Sequence, residues 1–296
     1  MSLHEFVQQC INGLSLGSTY ALLALGLAIL FSIMGLINFA HGELLTIGGY
    51  VMWTLLHHDT AWWLVVPATL LATTLAAVAM ERIAFRPLRG APLETLLVTS
   101  FALSFFIQTV LQIGVSAEPE PIAHTGWSDR GYSLGPYTVG LLQIVTTSVT
   151  FAVLVALTLF LRRTLLGVSI RAAAEDFAVV RLMGVPAGRV VVSAFALSGL
   201  LAGIAAVLYF ASAGSVSPTS GTPPVVAAFI AVVLGGLGNL TGAVVGGYVL
   251  GFADQLLAAV HSNTILQFHD AVVLAILIGI LLLRPQGLVG RREGLA

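Results

Sequence analysis

The chain has 296 residues, of which 58% are hydrophobic and 8% charged, with a net charge of −1 and a mean hydropathy of +1.01. A soluble domain carries about 25% charged residues, so this composition excludes a soluble globular protein and identifies an integral membrane protein. All twelve basic residues are arginines; a Walker A phosphate loop requires lysine, so any ATP-driven work falls to another subunit.

The apolar runs along the chain are Phe6–Met34, Leu36–Leu56, Trp62–Met80, Leu93–Val115, Tyr137–Leu161, Val190–Ala211, Val225–Leu237, Gly242–Val260 and Ala271–Leu283. Most meet the requirement of about 20 apolar residues per crossing. Val225–Leu237 is short and reads as a half-span or re-entrant piece. The expectation is an all-α, polytopic transmembrane helical bundle of eight or nine membrane segments, forming a single domain over residues 1–296. A barrel is excluded, because its strands would alternate over segments of about ten residues. The first run lacks a basic leader and a small-residue cleavage site, and so reads as a retained span. It holds the chain's single cysteine, Cys10, which excludes an internal disulfide.

That first run also carries Ser15, Ser18, Thr19 and Tyr20, and the next opens on Ile37-Asn-Phe-Ala-His-Gly-Glu43. Asn38 can cap the helix that follows, and Glu43 suits the positive end of that helix. Capping alone does not call for both His41 and Glu43, and charge at membrane depth costs a few kcal/mol. The alternative reading is a broken helix that sets polar groups beside a translocation path. Later, Gly235-Gly-Leu-Gly-Asn-Leu-Thr-Gly242 breaks the chain, adding Asn239 and Thr241 to the candidate path. Glycines spaced by four at Gly13/Gly17, Gly199/Gly203, Gly242/Gly246 and Gly247/Gly251 mark faces where helices approach closely.

Charge sorts by loop. Eleven of the twelve arginines fall at Arg82–Arg89, Arg162–Arg189 and Arg284–Arg292, whereas the loops at 57–60, 117–136 and 212–224 hold four acids and only Arg130. The positive-inside rule makes the arginine face, and with it the C-terminus, cytoplasmic. Nine spans would put the N-terminus outside and eight inside. Loop 117–136, with its prolines, Gly131, Gly135 and Trp127, reads as an irregular outer connection.

The interval 162–189 is charged inside an otherwise apolar chain. Ile170–Met183 is rich in helix formers and is followed by Gly184-Val-Pro186, a stop, so one helix of at most four turns is expected. Arg171 and Glu175 are spaced to pair, and Ala173, Phe177 and Val180 form a stripe needing a cover. A partner surface and a solvated topological loop both fit these residues.

Three stretches together resemble one family: Asn12–Gly26 with Ile37–Glu43, then Arg171-Ala-Ala-Ala-Glu-Asp176 with Leu182-Met-Gly-Val185, then Val233-Leu-Gly-Gly-Leu-Gly238. With the closing Leu283-Arg-Pro-Gln-Gly-Leu288 they are similar to LivH-type permeases of branched-chain amino acid ABC importers. The chain departs from that pattern at Pro223-Pro224 and at Asn239-Leu-Thr-Gly242. The resemblance implies a multi-pass protein of the bacterial inner membrane. Its partners would be a second related permease, two cytoplasmic ATPases, an extracytoplasmic binding protein, the cargo and membrane lipid, with no nucleic acid and no cofactor. It also implies that the cytoplasmic helix is the ATPase coupling element, here Arg171, Glu175, Asp176, Phe177, Val180, Arg181 and Gly184. The cargo stays open among branched-chain amino acids, urea, amides and aromatic acids. No His-Glu-x-x-His or Gly-x-Ser-x-Gly motif supports catalysis or a metal site. The competing reading is a stand-alone carrier or channel in which Glu43, His41, Asp254 or Asp270 relays protons.

Overall fold

The computed structural model describes residues 3–122, 130–259, 275, 278, 279, 282, 284 and 287–289. Among the described residues ten α-helices follow one another: α1 (Leu3–Met34), α2 (His41–His57), α3 (Trp62–Met80), α4 (Leu93–Gly114), α5 (Leu141–Arg163), α6 (Leu165–Glu175), α7 (Phe177–Leu182), α8 (Ala187–Ala213), α9 (Thr222–Gly235) and α10 (Leu240–Ala258). Helix α3 continues through a wide π-type turn, Glu81–Phe85, and a short tight one, Arg86–Leu88.

Among the described residues six helices are long and apolar enough to cross a membrane: α1, α3 with its extension, α4, α5, α8 and α10. The expected eight or nine is therefore reached only by counting shorter pieces. Helix α2 has 17 residues and α9 has 14, about 26 and 21 Å at 1.5 Å per residue, short of a hydrocarbon core of about 30 Å. The last expected run, Ala271–Leu283, lies outside the described residues apart from isolated positions.

Helix α1 is the centre of the bundle. It is apolar on every side and buried from Ala21 to Leu30, as a helix surrounded by others must be. Helices α8, α9 and α10 enclose it. The glycine spacing explains how closely: a side chain on Gly251 would run into the backbone of Gly17, and one on Gly247 into Ala21. Without a hydrophobic force between helices in lipid, such backbone approach is what packing has to offer. Helices α4 and α5 turn apolar side chains outward, with Phe105, Phe106, Ile113 and Phe151 all more than 60% exposed, the pattern of surfaces that face lipid or another subunit.

Two ends can be told apart. At one, the His4 and Tyr137 rings lie 5.8 Å apart, Gln8 exchanges hydrogen bonds with the Thr138 backbone, and β1 (Glu120–Pro121) pairs antiparallel with β4 (Ser215–Val216). The run expected to start as helix at Tyr137 instead begins as β3 (Tyr137–Gly140), paired with β2 (Gly131–Leu134). Loop 117–136 is thus partly a hairpin, while Trp127 lies outside the described residues. At the other end Met34, Arg89, Arg181 and Ala187 line one cavity, and Leu288 and Val289 donate backbone hydrogen bonds to Leu234 and Gly235.

Candidate functional site

Helix α1 stops at Gly35, whose φ of +64° is the left-handed turn that glycine permits. The chain then runs through Leu36–Ala40 into α2. The helix-capping expectation for Asn38 is corrected: the N-cap position is Ala40 with no side-chain cap. Asn38 contributes its backbone carbonyl, which accepts from the His41 amide at 3.1 Å. Its side chain is 1% exposed, and neither amide atom has a hydrogen-bond partner among the described residues. Burying such a group unpaired costs about 1–3 kcal/mol, so helix capping does not account for Asn38.

His41 and Glu43 follow on the first turn of α2 and diverge, as residues two apart on a helix do. His41 is fully buried, with Nδ1 3.2 Å from Ser198 Oγ on α8. Its imidazole lies where a side chain on Gly26 would otherwise be, 2.9 Å from that position. Glu43 points to α4: its Oε1 accepts from Ser104 Oγ at 2.8 Å and from Gln108 Nε2 at 2.7 Å. Gln108 also donates to Thr222 Oγ1 at 3.2 Å, at the start of α9. One turn on, Thr46 Oγ1 accepts from the Gly221 amide at 3.0 Å. The head of α2 therefore ties α1, α4, α8 and α9 together, and His41 and Glu43 are not linked into one relay.

Thr222 leads to a second feature. It lines a cavity of about 390 Å³ together with Tyr20, Tyr209, Asp254 and the apolar side chains of Val226, Ile230 and Leu250. Inside it the Tyr20 hydroxyl donates to Asp254 Oδ2 at 3.2 Å. Ser15 and Thr19 line a neighbouring cavity of about 470 Å³ with Asn12, Gln143 and Gln255. Tyr209 borders both.

The eight candidate path residues thus fall into three groups. Ser15, Thr19 and Tyr20 face cavities. Asn38, His41 and Glu43 lie in the packed interior. Asn239 and Thr241 sit at the opposite end of α10 from Asp254, fifteen residues or about 22 Å away. Asn239 is a helix cap and tether: its Oδ1 accepts from the Gly242 amide at 3.0 Å and its Nδ2 donates to the Val289 carbonyl at 2.9 Å. Thr241 is exposed. Ser104, Gln108, Ser198, Tyr209 and Thr222 were missed as site residues. The polar pair Ser104 and Gln108, four apart in an apolar run, was a readable signal.

The charged interval differs from expectation. The single helix over Ile170–Met183 is two, α6 and α7, broken at Asp176, whose backbone is extended at φ −152° and ψ 102°. Asp176 Oδ1 accepts from the Val179 amide at 3.0 Å, which starts α7. Gly184 has φ +78°, as a helix stop requires. Arg171 turns from Glu175 and donates from Nε to the Leu161 carbonyl at 2.8 Å, holding α6 against the end of α5. Ala173 and Val180 are buried in the chain's own core, and Phe177 lines the cavity it shares with Met34, Arg89 and Arg181. On α7 and the turn after it, the exposed large apolar side chains among the described residues are Val179, Leu182 and Met183.

Among the described residues no group of three or more potential metal ligands occurs. Comparison with known proteins gives a consistent answer. Residues 9–281 match the family described as "Branched-chain amino acid transport system / permease component". The chain is 34% identical over 303 residues to the high-affinity branched-chain amino acid transport system permease protein BraD of Pseudomonas aeruginosa, covering 98% of each chain. It is 36% identical over 300 residues to the corresponding protein LivH of Escherichia coli K12, covering 97% of this chain and 96% of that one. More distantly, it is 25% identical over 281 residues to the ribose import permease protein RbsC of Escherichia coli K12, covering 92% and 84%. No solved structure matches.

Proposed function

The chain belongs to the family of branched-chain amino acid transport system permease components, and from that premise we propose that it passes branched-chain or related small amino acids or amides across the bacterial inner membrane. It works as one transmembrane domain over residues 1–296. It associates with a second related permease, two cytoplasmic ATPases and an extracytoplasmic binding protein that delivers cargo. The arginine end and the C-terminus are cytoplasmic. Nine membrane segments, counting α2, α9 and the run 271–283 as crossings, put the N-terminus outside. The two distinct ends support this, because Gln8 meets Thr138 at one and Met34 meets Arg89 and Arg181 at the other. The ATPases engage the segment 162–189 through Glu175, Asp176, Arg181 and the exposed apolar edge of α7.

The observation that carries the cargo assignment is the cavity at Tyr20, Tyr209 and Asp254. It joins one carboxylate, oriented by a tyrosine hydroxyl, to an apolar wall. An amino acid with a branched apolar side chain asks for that combination: a carboxylate for its ammonium group and hydrocarbon for the rest. The stand-alone carrier is not favoured, since the relatives are permease components of transport systems. In the assembled transporter, Asp254→Asn should lower leucine uptake by about tenfold to a hundredfold, the scale of a charge-assisted hydrogen bond of about 1.5–3 kcal/mol. Assembly and ATPase binding should be unchanged. Unaltered uptake in Asp254→Asn and Tyr20→Phe alike would remove this cavity from the path.

A further inference from the structure

Four of the chain's arginines line one groove that the transport reading does not use. Arg82, Arg86 and Arg89 reach it from the turns that follow α3, and Arg189 from the first turn of α8. Among the described residues no carboxylate lines it. The nearby Glu81 is fully buried and engaged by Arg89, the ion pair found among the described residues, so Arg82, Arg86 and Arg189 are left without an anionic partner there. Gly188 also lines the groove, and the N-terminus of the 27-residue α8 has no side-chain cap. Its first amides and its dipole therefore add to the positive potential of the arginines.

Apart from Ser193, the rest of the groove is apolar. Leu166, Val192 and Ala196 form its floor, and its volume is about 530 Å³, much larger than a phosphate ion. Outside it, Ile83 is 77% and Leu165 is 89% exposed, so the hydrocarbon surface continues beyond the arginines. The arginines themselves follow immediately on the apolar span of α3, at the depth where a bilayer has its headgroups.

We propose that this groove is a binding site for an anionic phospholipid, whose phosphate lies among Arg82, Arg86 and Arg189 and whose acyl chains lie along Leu166, Val192 and Ala196. A free phosphate or a nucleotide would use the charge and leave the apolar floor uncovered. Basic pockets between membrane helices on the cytoplasmic side take such headgroups. The choice of leaflet rests on the orientation proposed above, whereas the binding itself does not. Failure of the cysteine-labelling test of that orientation would therefore leave this proposal standing.

The test uses the full-length chain purified in neutral detergent. Retention of phosphatidylglycerol and of phosphatidylcholine with the same acyl chains is measured by native mass spectrometry, with inorganic phosphate as competitor. Phosphatidylglycerol should be retained preferentially and resist phosphate. Each arginine at an anionic surface contributes about fivefold, so the R82Q/R86Q/R189Q triple variant should lose about a hundredfold in affinity. Arg130→Gln, at the other end of the molecule, should change nothing. The thermal midpoint checks that the triple variant folds; should it not fold, Arg82→Gln alone should lose about fivefold. Equal retention of the two lipids, displacement by inorganic phosphate, or undiminished retention in the folded arginine variants would each overturn the proposal.

Discussion

Helix α4 is held to the bundle by few polar contacts, and removing Glu43 tests how much they matter. The Phe39 and Phe101 rings stack at 4.2 Å, Ser100 Oγ lies 3.4 Å from both the Ile37 carbonyl and the Phe39 amide, and Glu43 takes two hydrogen bonds from Ser104 and Gln108. Glu43→Ala deletes both of those and leaves the buried Ser104 hydroxyl without this acceptor, while the half-buried Gln108 keeps its bond to Thr222. At about 0.5–1.5 kcal/mol per bond the loss is about 1–3 kcal/mol. Measurements between membrane helices average about 0.6 kcal/mol per bond, which sets the lower end near 1 kcal/mol. Glu43→Gln keeps an acceptor at Oε1 and should cost less than about 1 kcal/mol. The measurement is reversible unfolding in mixed micelles for Glu43→Ala, Gln108→Ala and the double variant. A coupling energy of about 1 kcal/mol is expected, because the two side chains meet directly. Effects that add to within about 0.3 kcal/mol would refute the reasoning, since that is how independent sites behave.

Two further outcomes follow from the two ends of the bundle. On a Cys10→Ser background in intact cells, an impermeant thiol reagent should modify Glu118→Cys and leave Val179→Cys protected; the reverse pattern would invert the proposed orientation. At the ATPase end, Leu182→Ala should weaken ATPase co-purification by about 1–3 kcal/mol, the scale of an interface anchor, with no change in melting. Val180→Ala should instead lower stability by about 2 kcal/mol, since Val180 is a core residue.

The sequence was most legible where one physical rule acts alone. Of the nine apolar runs, eight fall on helices, six of them long enough to cross a membrane, and spacing by four identified Gly17, Gly247 and Gly251 as contact points. It was least legible where a residue's meaning depends on a partner far along the chain. Asp254 near the end of α10 reads as a helix-end charge until Tyr20, 234 positions away, is found beside it. Asn38 and Asn239 carry the same side chain before a helix, yet only Asn239 caps one. At Asn38 the following helix begins three residues later, with Ala40 in the N-cap position, and the Asn38 amide is buried without capping it.

The segment 162–189, proposed above to engage the ATPases, shows the same dependence. An amphipathic stripe in sequence needs a cover, and both a partner and the chain's own core satisfy that need. Here the core takes Ala173 and Val180, while Arg171 fastens α6 to the last carbonyls of α5. In that proposal a segment so anchored transmits force into the bundle without a rigid four-turn lever, because its inner face packs on α5 and α8. The break at Asp176 then divides two tasks: α6 holds on to the bundle, and α7 presents Val179, Leu182 and Met183 outward. In that proposal a push on α7 reaches the bundle through the buried Val180 and through Phe177, which borders a cavity with Met34 at the end of the central helix. Helix α1 also carries Tyr20, and α8, which borders the Met34 cavity with Ala187 and Val191, carries Tyr209, so two elements run from that end to the cavity proposed for cargo.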